Sequence, residues 1–207
     1  MTDTTALDNF TEKWRSRWPE WQVAETFVPA AQREAALAWF ALLQEFEDIM
    51  NIAGDPLPAD AKLAWWGEEL RDWSRRRSRH PLGRVLEPHA APWFQLGEKL
   101  PLLQQLRKAQ GDEALALATE LAQTLAVVEQ VILGGAQPDV LSLRAALLAS
   151  RPVGAESVAS DRDIPAQSQG STPRRLLMAL HRLRAESTGK APSFWRILWR
   201  CWRAARG

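Results

Sequence analysis

Apolar residues recur every three to four positions along most of this chain, which is the spacing of one face of an α-helix. The pattern is clearest over 31–53 and over 112–133. In the second segment, apolar residues four, four, three and four positions apart line one side: Leu117, Leu121, Leu125, Val128 and Ile132. The sequence has no long alternating or β-branched run of the kind that indicates strands. The pattern therefore predicts an all-α fold.

Proline, glycine and polar residues divide the apolar pattern into separate helices. Residues 151–172 are rich in Pro, Gly, Ser, Asp and Gln and poor in large apolar residues, so we predict a mobile loop there. The residues after it are too few for a separate core, and we predict a single domain over 1–207 with seven or eight helices. The helices assigned from the pattern cover 31–53, 59–78, 92–109, 112–133, 139–150, 173–186 and 192–205.

Charge and cysteine content exclude several classes of protein. The 26 basic and 25 acidic residues give a net charge of +1, which predicts no general attraction to nucleic acid. Cys201 is the single cysteine and can form neither an internal disulfide nor a thiolate zinc site, so we predict a reducing, cytoplasmic compartment. The N-terminus lacks the basic and apolar regions of a signal peptide. We also expect no membrane span, because we find no apolar stretch that approaches the ~20 residues that one needs.

The segment 27–88 carries a series of short motifs in a fixed order. They are Phe27-Val28-Pro29, Arg33, Ala38-Trp39-Phe40-Ala41-Leu42, Glu45-Phe46-Glu47-Asp48-Ile49-Met50-Asn51, Asp55-Pro56, Lys62-Leu63-Ala64-Trp65-Trp66, Glu68-Glu69-Leu70 and Arg79-His80-Pro81-Leu82. In order and spacing they resemble the squalene/phytoene synthase family, whose members join two prenyl diphosphates head to head. The resemblance implies an isoprenoid-synthase-like helical bundle and, in an active member, Mg²⁺ as cofactor.

The first aspartate-rich motif of that family has two aspartates four positions apart, which bind magnesium. Here those positions hold Glu47 and Asn51, while Asp48 matches an adjacent aspartate that many members carry. Glu47 can still ligate magnesium through a carboxylate oxygen, whereas Asn51 offers only a neutral carbonyl. The resemblance makes these three residues the candidate metal ligands, with Arg33 and Arg79 as candidate residues for binding the substrate phosphates.

The second acidic motif of the family, of the type Asn-Ile-Leu-Arg-Asp-x-x-x-Asp, has no counterpart in this sequence. Ionising a diphosphate needs metal ions on both sides of the leaving group. We therefore predict a catalytically degenerate member, with no catalytic residue assigned, that binds a prenyl lipid, a membrane surface or a protein partner. The alternative is an active Mg²⁺-dependent prenyl transferase that condenses prenyl diphosphates.

Three polar groups near the second predicted helix have ordinary structural interpretations. We interpret the acidic run over 68–72 as a solvated surface facing nearby arginines rather than a second metal face. We assign His80 to capping or packing at the end of that helix rather than to general-base catalysis, because no acid partner stands beside it. The basic run over 75–79 complements a helix dipole, with phosphate or anionic lipid as the alternative partner.

The last predicted helix has two faces. One carries large apolar side chains: Phe194, Trp195, Leu198, Trp199 and Trp202. The other carries arginines: Arg196, Arg200, Arg203 and Arg206. Together with the 11 tryptophans of the chain, this pattern fits a membrane-interface helix through 192–206, and it fits equally a terminal helix packed on the core. We favour packing, because chains of the similar family close their bundle this way.

Overall fold

The structure is a computed structural model that describes residues 3–151, 169–187 and 191–206. All regular structure in these ranges is helical, which confirms the all-α prediction. The α-helices are α1 (Asp3–Arg17), α2 (Trp21–Ala24), α3 (Ala30–Met50), α4 (Leu57–Ser74), α5 (Pro81–Leu86), α6 (Trp93–Lys99), α7 (Pro101–Leu106), α8 (Gly111–Leu133), α9 (Val140–Ala149), α10 (Thr172–Glu186) and α11 (Phe194–Arg206). Short 3-10 segments at Glu25–Phe27 and Glu87–His89 follow α2 and α5.

The described ranges hold more helical segments than the seven or eight predicted. Two helices precede the first predicted one, and α5 lies in a stretch that had no assignment. The predicted helix over 92–109 is two helices, because Pro101 has no N–H group with which to continue the hydrogen bonds of α6. Most of the predicted loop, 152–168, lies outside the described residues.

Tryptophans hold the two N-terminal helices against the bundle. Trp14, Trp18 and Trp21 are buried, at a spacing of four and three residues. The Trp14 ring stacks on Phe40 of α3 with centroids 5.7 Å apart, and Trp21 meets the same ring edge-on at 5.5 Å. The tryptophan-rich composition therefore serves large helix contacts in this part of the molecule.

Helix α3 is the central element of the bundle and packs against α1, α4, α5 and α8. An unbroken run of apolar residues, 35–42, is buried along it. Helices α4 and α6 also pack closely, with two glycines at the crossing. A Cβ atom on Gly97 would lie 3.1 Å from the carbonyl oxygen of Gly67, so the crossing depends on the missing side chain.

The expectation that no apolar stretch is long enough to span a membrane is wrong for α8. By length and composition Gly111–Leu133 meets that requirement. Core helices of soluble proteins meet it too, and here α8 packs against α3, α6, α7 and α9. Its buried side includes Leu121, Leu125 and Val128, as the apolar pattern predicted.

Helix α11 packs on the bundle through a different face from the one predicted. Ile197 and Cys201 are buried, whereas Trp195, Trp199 and Trp202 are 74%, 51% and 43% exposed. The prediction that the tryptophan face packs on the core is therefore wrong. The small side chain at Cys201 allows the close contact, and burial raises the pKa of its thiol to about 12.

Candidate functional site

A cavity of about 350 Å³ lies in the middle of the bundle, between α3, α8, α9 and α10. Most of its wall is apolar and comes from Trp14, Trp18, Phe40, Leu43, Phe46, Met50, Leu103, Leu121, Leu125, Leu143, Ala146, Leu147, Ala149 and Leu177. Its polar lining residues are Gln44, Glu47, Ser150, Arg174 and His181. Apolar cavities of this size with a few polar groups are typical sites for small ligands.

Arg174 reaches the cavity from α10, and Glu129 of α8 neutralises its charge. The Nε atom of Arg174 donates to the two carboxylate oxygens of Glu129 at 2.8 and 3.0 Å, and Nη2 donates to one of them as well. Trp39 Nε1 donates to the same carboxylate at 2.7 Å. Both charged side chains are buried. The three residues therefore tie α3, α8 and α10 together through one satisfied polar network.

Glu47 lies on the cavity side of α3. The side-chain amide of Gln44, one turn earlier, donates to its carboxylate at 2.9 Å. Burial raises the pKa of Glu47 above its ordinary value, and the neighbouring Asp48 charge acts in the same direction. A carboxyl group with a raised pKa that lines a cavity is a candidate for ligand contact.

His181 lines the same cavity from α10, although the residue as a whole is exposed to solvent. Its ring meets Trp18 edge-on, with centroids 4.5 Å apart. The surrounding protein lowers the pKa of His181, and the charges of Arg174 and Arg184 lower it further. The imidazole is therefore neutral at neutral pH and adds no positive charge to the cavity.

The other two candidate metal ligands, Asp48 and Asn51, have different partners. Asp48 accepts from Lys13 at 2.8 Å and from Arg17 at 2.5 Å, so it joins α3 to α1. Partial burial alone would raise the pKa of Asp48, but hydrogen bonds from these two cations bring it below its ordinary value. The Asn51 amide donates to the carbonyl oxygens of Glu47 and Ser150 at 2.9 and 2.8 Å, which joins the ends of α3 and α9.

These three side chains do not fit a magnesium site in this arrangement. Glu47 alone lines the cavity, whereas Asp48 pairs with two cations and the Asn51 side chain is held at the end of α9 by its amide N–H donors. Magnesium needs a near-octahedral set of oxygen ligands. Across the ranges that the structure describes, no group of three His, Cys, Asp or Glu side chains could hold a metal ion. The magnesium site stays a prediction that the geometry does not favour.

The two candidate phosphate-binding arginines do not line the central cavity. Arg33 donates from Nε to the carbonyl oxygen of Val28 at 3.0 Å and lines a second cavity of about 260 Å³. Arg79 pairs with Glu69 at 3.1 Å and with Asp72 at 3.2 Å. Their role in binding phosphate also stays a prediction.

The interpretation of the acidic run as a solvated surface is wrong for Glu69, whose side chain is fully buried, and holds for Glu68, which is exposed and pairs with Arg71. Its carboxylate accepts from Trp73 Nε1 at 2.8 Å and from the backbone N–H groups of Arg79 and His80, both at 2.7 Å. His80 in turn caps α5, since its Nδ1 accepts from the N–H of Leu82 at 3.2 Å. The capping role assigned to His80 is confirmed, at the start of α5 rather than the end of α4. Burial lowers its pKa to about 4.

Sequence reasoning missed the Arg174–Glu129 pair and His181. One signal for the pair was in the sequence, because Glu129 stands on the apolar side of α8 beside Val128. A carboxylate in that position needs a buried partner. The identity of the partner depends on the packing of α10, which periodicity alone does not give.

Comparison of the chain with known protein families, with curated proteins and with solved structures found no match. The resemblance to squalene/phytoene synthases therefore stands on the motifs alone. A functional proposal has to come from the cavity and from the surface of the molecule.

Proposed function

We propose that this protein is a squalene/phytoene-synthase-like bundle of the isoprenoid-synthase type that has lost its condensation chemistry and binds a neutral prenyl lipid. The cavity of about 350 Å³ supports this most directly. Its apolar wall suits a branched hydrocarbon chain, and its few polar groups suit a single head group. The motifs over 27–88 supply the link to prenyl substrates.

The charges around the cavity favour a neutral ligand over a diphosphate. Among its described lining residues Arg174 is the one Lys or Arg, and it is committed to Glu129. His181 is neutral and Glu47 carries an acid group. A diphosphate would lose its hydration without gaining a free cation, which is unfavourable. An alcohol or a similar uncharged head group can instead hydrogen-bond to the amide of Gln44 or to the carboxyl of Glu47.

Equilibrium dialysis with radiolabelled farnesol and farnesyl diphosphate, each with and without Mg²⁺, tests the proposal. We expect the alcohol to bind at one molecule per chain and the diphosphate to bind at least tenfold more weakly, with no effect of Mg²⁺. Release of diphosphate is measured in parallel on the same samples. Mg²⁺-dependent binding of the diphosphate together with its turnover would overturn the proposal in favour of an active prenyl transferase.

A further inference from the structure

The outer side of α11 presents a stripe of aromatic residues to solvent. Trp195, Trp199 and Trp202 follow one another at spacings of four and three residues, which places them on one side of the helix. They are among the most exposed large apolar side chains of the described residues, and Phe194 beside them is 55% exposed. We call the three tryptophans the tryptophan stripe.

The orientation of α11 is fixed by contacts on its inner side. Ile197 and Cys201 are buried against the bundle, and α11 packs on α10. The guanidinium group of Arg175 on α10 donates to the carbonyl oxygens of Ala204 and Ala205 at 2.9 and 3.2 Å. The tryptophan stripe therefore cannot turn inward without loss of these contacts.

Arginines surround the stripe and lie over its rings. The guanidinium of Arg206 is 4.1 Å from the Trp202 ring centroid, and that of Arg203 is 5.6 Å from the Trp199 centroid. Both distances are within the range of cation–π contact. The segment 191–206 contains no Asp or Glu, so all of its own charged side chains are positive.

We infer that the tryptophan stripe and its arginines dock the protein on an anionic lipid surface. Tryptophan prefers the boundary between lipid head groups and acyl chains, and arginine is attracted to anionic head groups. A helix with an aromatic side and a basic side lies in the plane of that boundary. This inference is independent of the cavity and stands even if no prenyl lipid binds there.

The chemistry of the surface favours lipid over a protein partner. Three tryptophans along one side of the helix, with arginines over two of their rings, combine a broad apolar surface with positive charge. Among the described residues, the acid that forms ion pairs with α11 is Glu186, which pairs with Arg200 at 2.5 Å and Arg196 at 3.6 Å. It leaves Arg203 and Arg206 available to head groups.

Vesicle co-sedimentation of the full chain tests the inference. Vesicles of phosphatidylcholine alone are compared with vesicles that contain about 30% phosphatidylglycerol, whose negative surface potential attracts basic segments. The main variant is Trp195→Ser/Trp199→Ser/Trp202→Ser, and its matched control is Trp65→Ser, which removes another exposed tryptophan. A second variant, Arg203→Gln/Arg206→Gln, removes charge without removing rings. Circular dichroism verifies that each variant folds.

We expect the wild type and Trp65→Ser to bind the anionic vesicles equally and the stripe variant to bind at least tenfold more weakly. The arginine variant should bind weaker by about fivefold per arginine at low salt, with a smaller salt dependence. Equal binding by the wild type and the stripe variant would overturn the inference, as would absence of binding to anionic vesicles. Gel filtration gives a further test. If the wild type self-associates but does not bind vesicles, and the stripe variant no longer self-associates, the stripe is a protein contact and the inference is overturned.

Discussion

At the residue scale, the buried charges of this protein are held by specific partners. The Glu129 carboxylate accepts hydrogen bonds from Trp39 and Arg174. The Glu69 carboxylate accepts in a second cluster, from groups that include the backbone N–H of His80. Neither cluster coincides with the metal ligands that the motifs suggested. The partners of a buried carboxylate therefore define its role better than its place in a motif does.

Glu129→Gln should destabilise the protein by about 3 kcal/mol, because it leaves the charge of Arg174 buried without a counter-charge. Urea unfolding at pH 7 measures the change. Glu120→Gln on the same helix is the control, since Glu120 pairs with Lys99 at an exposed position and its loss should cost less than about 1 kcal/mol. Equal losses in the two variants would contradict the structural role given to the Arg174–Glu129 pair.

His80→Asn should remove part of the acid sensitivity of the protein. The pKa of His80 is lowered from 6.5 to about 4 in the fold, so between these values the unfolded chain binds the additional proton. Stability that is present above pH 6.5 is then lost as the pH falls toward 4, by on the order of 3 kcal/mol. Asparagine can still cap α5 without titrating. Urea unfolding across this pH range measures the free energy of unfolding of both proteins. The same dependence of that free energy on pH in the wild type and the variant would contradict the prediction.

Glu47→Gln should stabilise the protein at neutral pH. Because burial raises the pKa of Glu47, the folded state binds its proton more tightly than the unfolded chain does, and stability falls as the pH rises through the folded pKa. Glutamine does not titrate, so the variant does not lose this stability at neutral pH. The difference in stability between the variant and the wild type should vanish well below the unfolded pKa near 4.5. Unfolding at pH 7.5 and pH 3.5 compares the two. A variant that is less stable than the wild type at pH 7.5 would contradict this prediction, because the hydrogen bond from Gln44 would then outweigh the cost of burying the carboxylate.

At the element scale, the helices with long apolar stripes were predictable, whereas the polar α1 and the short helices were not. The helices α3, α4, α8 and α9 each begin and end within a few residues of their predicted limits, because their apolar stripes are long and bounded by Pro, Gly or a capping Asp. The short α5 has too few residues to show a period. Its position depends on the cap from His80 and on close packing at Gly83.

Gly83→Ala should disrupt the contact between α5 and α4. A Cβ atom there would lie 2.8 Å from Trp73 Nε1 and 2.9 Å from Cε2 of the same ring, and Trp73 is held by Glu69. We expect a loss of about 2 kcal/mol from this overpacking. Gly67→Ala is the control, since its nearest neighbour would be 3.7 Å away and alanine favours the helix. If thermal and urea unfolding rank the two variants alike, the packing described at Gly83 is wrong.

At the scale of the whole molecule, the sequence predicted the fold class but only part of the site. Glu47 lines the cavity, but Asp48, Asn51, Arg33 and Arg79 do not. Helical periodicity places residues on a face, whereas the cavity is closed by α9 and α10 from distant parts of the chain. The sequence of α11 fitted two orientations equally, and the inward orientation of the tryptophan face that we favoured is wrong, because periodicity does not give the side on which a terminal helix meets the core.

The cavity is the feature on which the proposed function depends, and it can be filled without removing a contact. Ala146 lies in its wall on α9, so Ala146→Phe occupies the space that a prenyl chain would take. Ala116 is exposed on α8, and Ala116→Phe makes the same chemical change away from the cavity. Far-UV circular dichroism confirms that both variants keep their helices.

Titration of the wild type and these two variants with radiolabelled farnesol is the most direct measurement. We expect the wild type and Ala116→Phe to bind one farnesol per chain with the same Kd, and Ala146→Phe to bind at least tenfold more weakly. Equal binding by all three proteins, or no saturable binding by the wild type, would contradict a prenyl-lipid site in the central cavity.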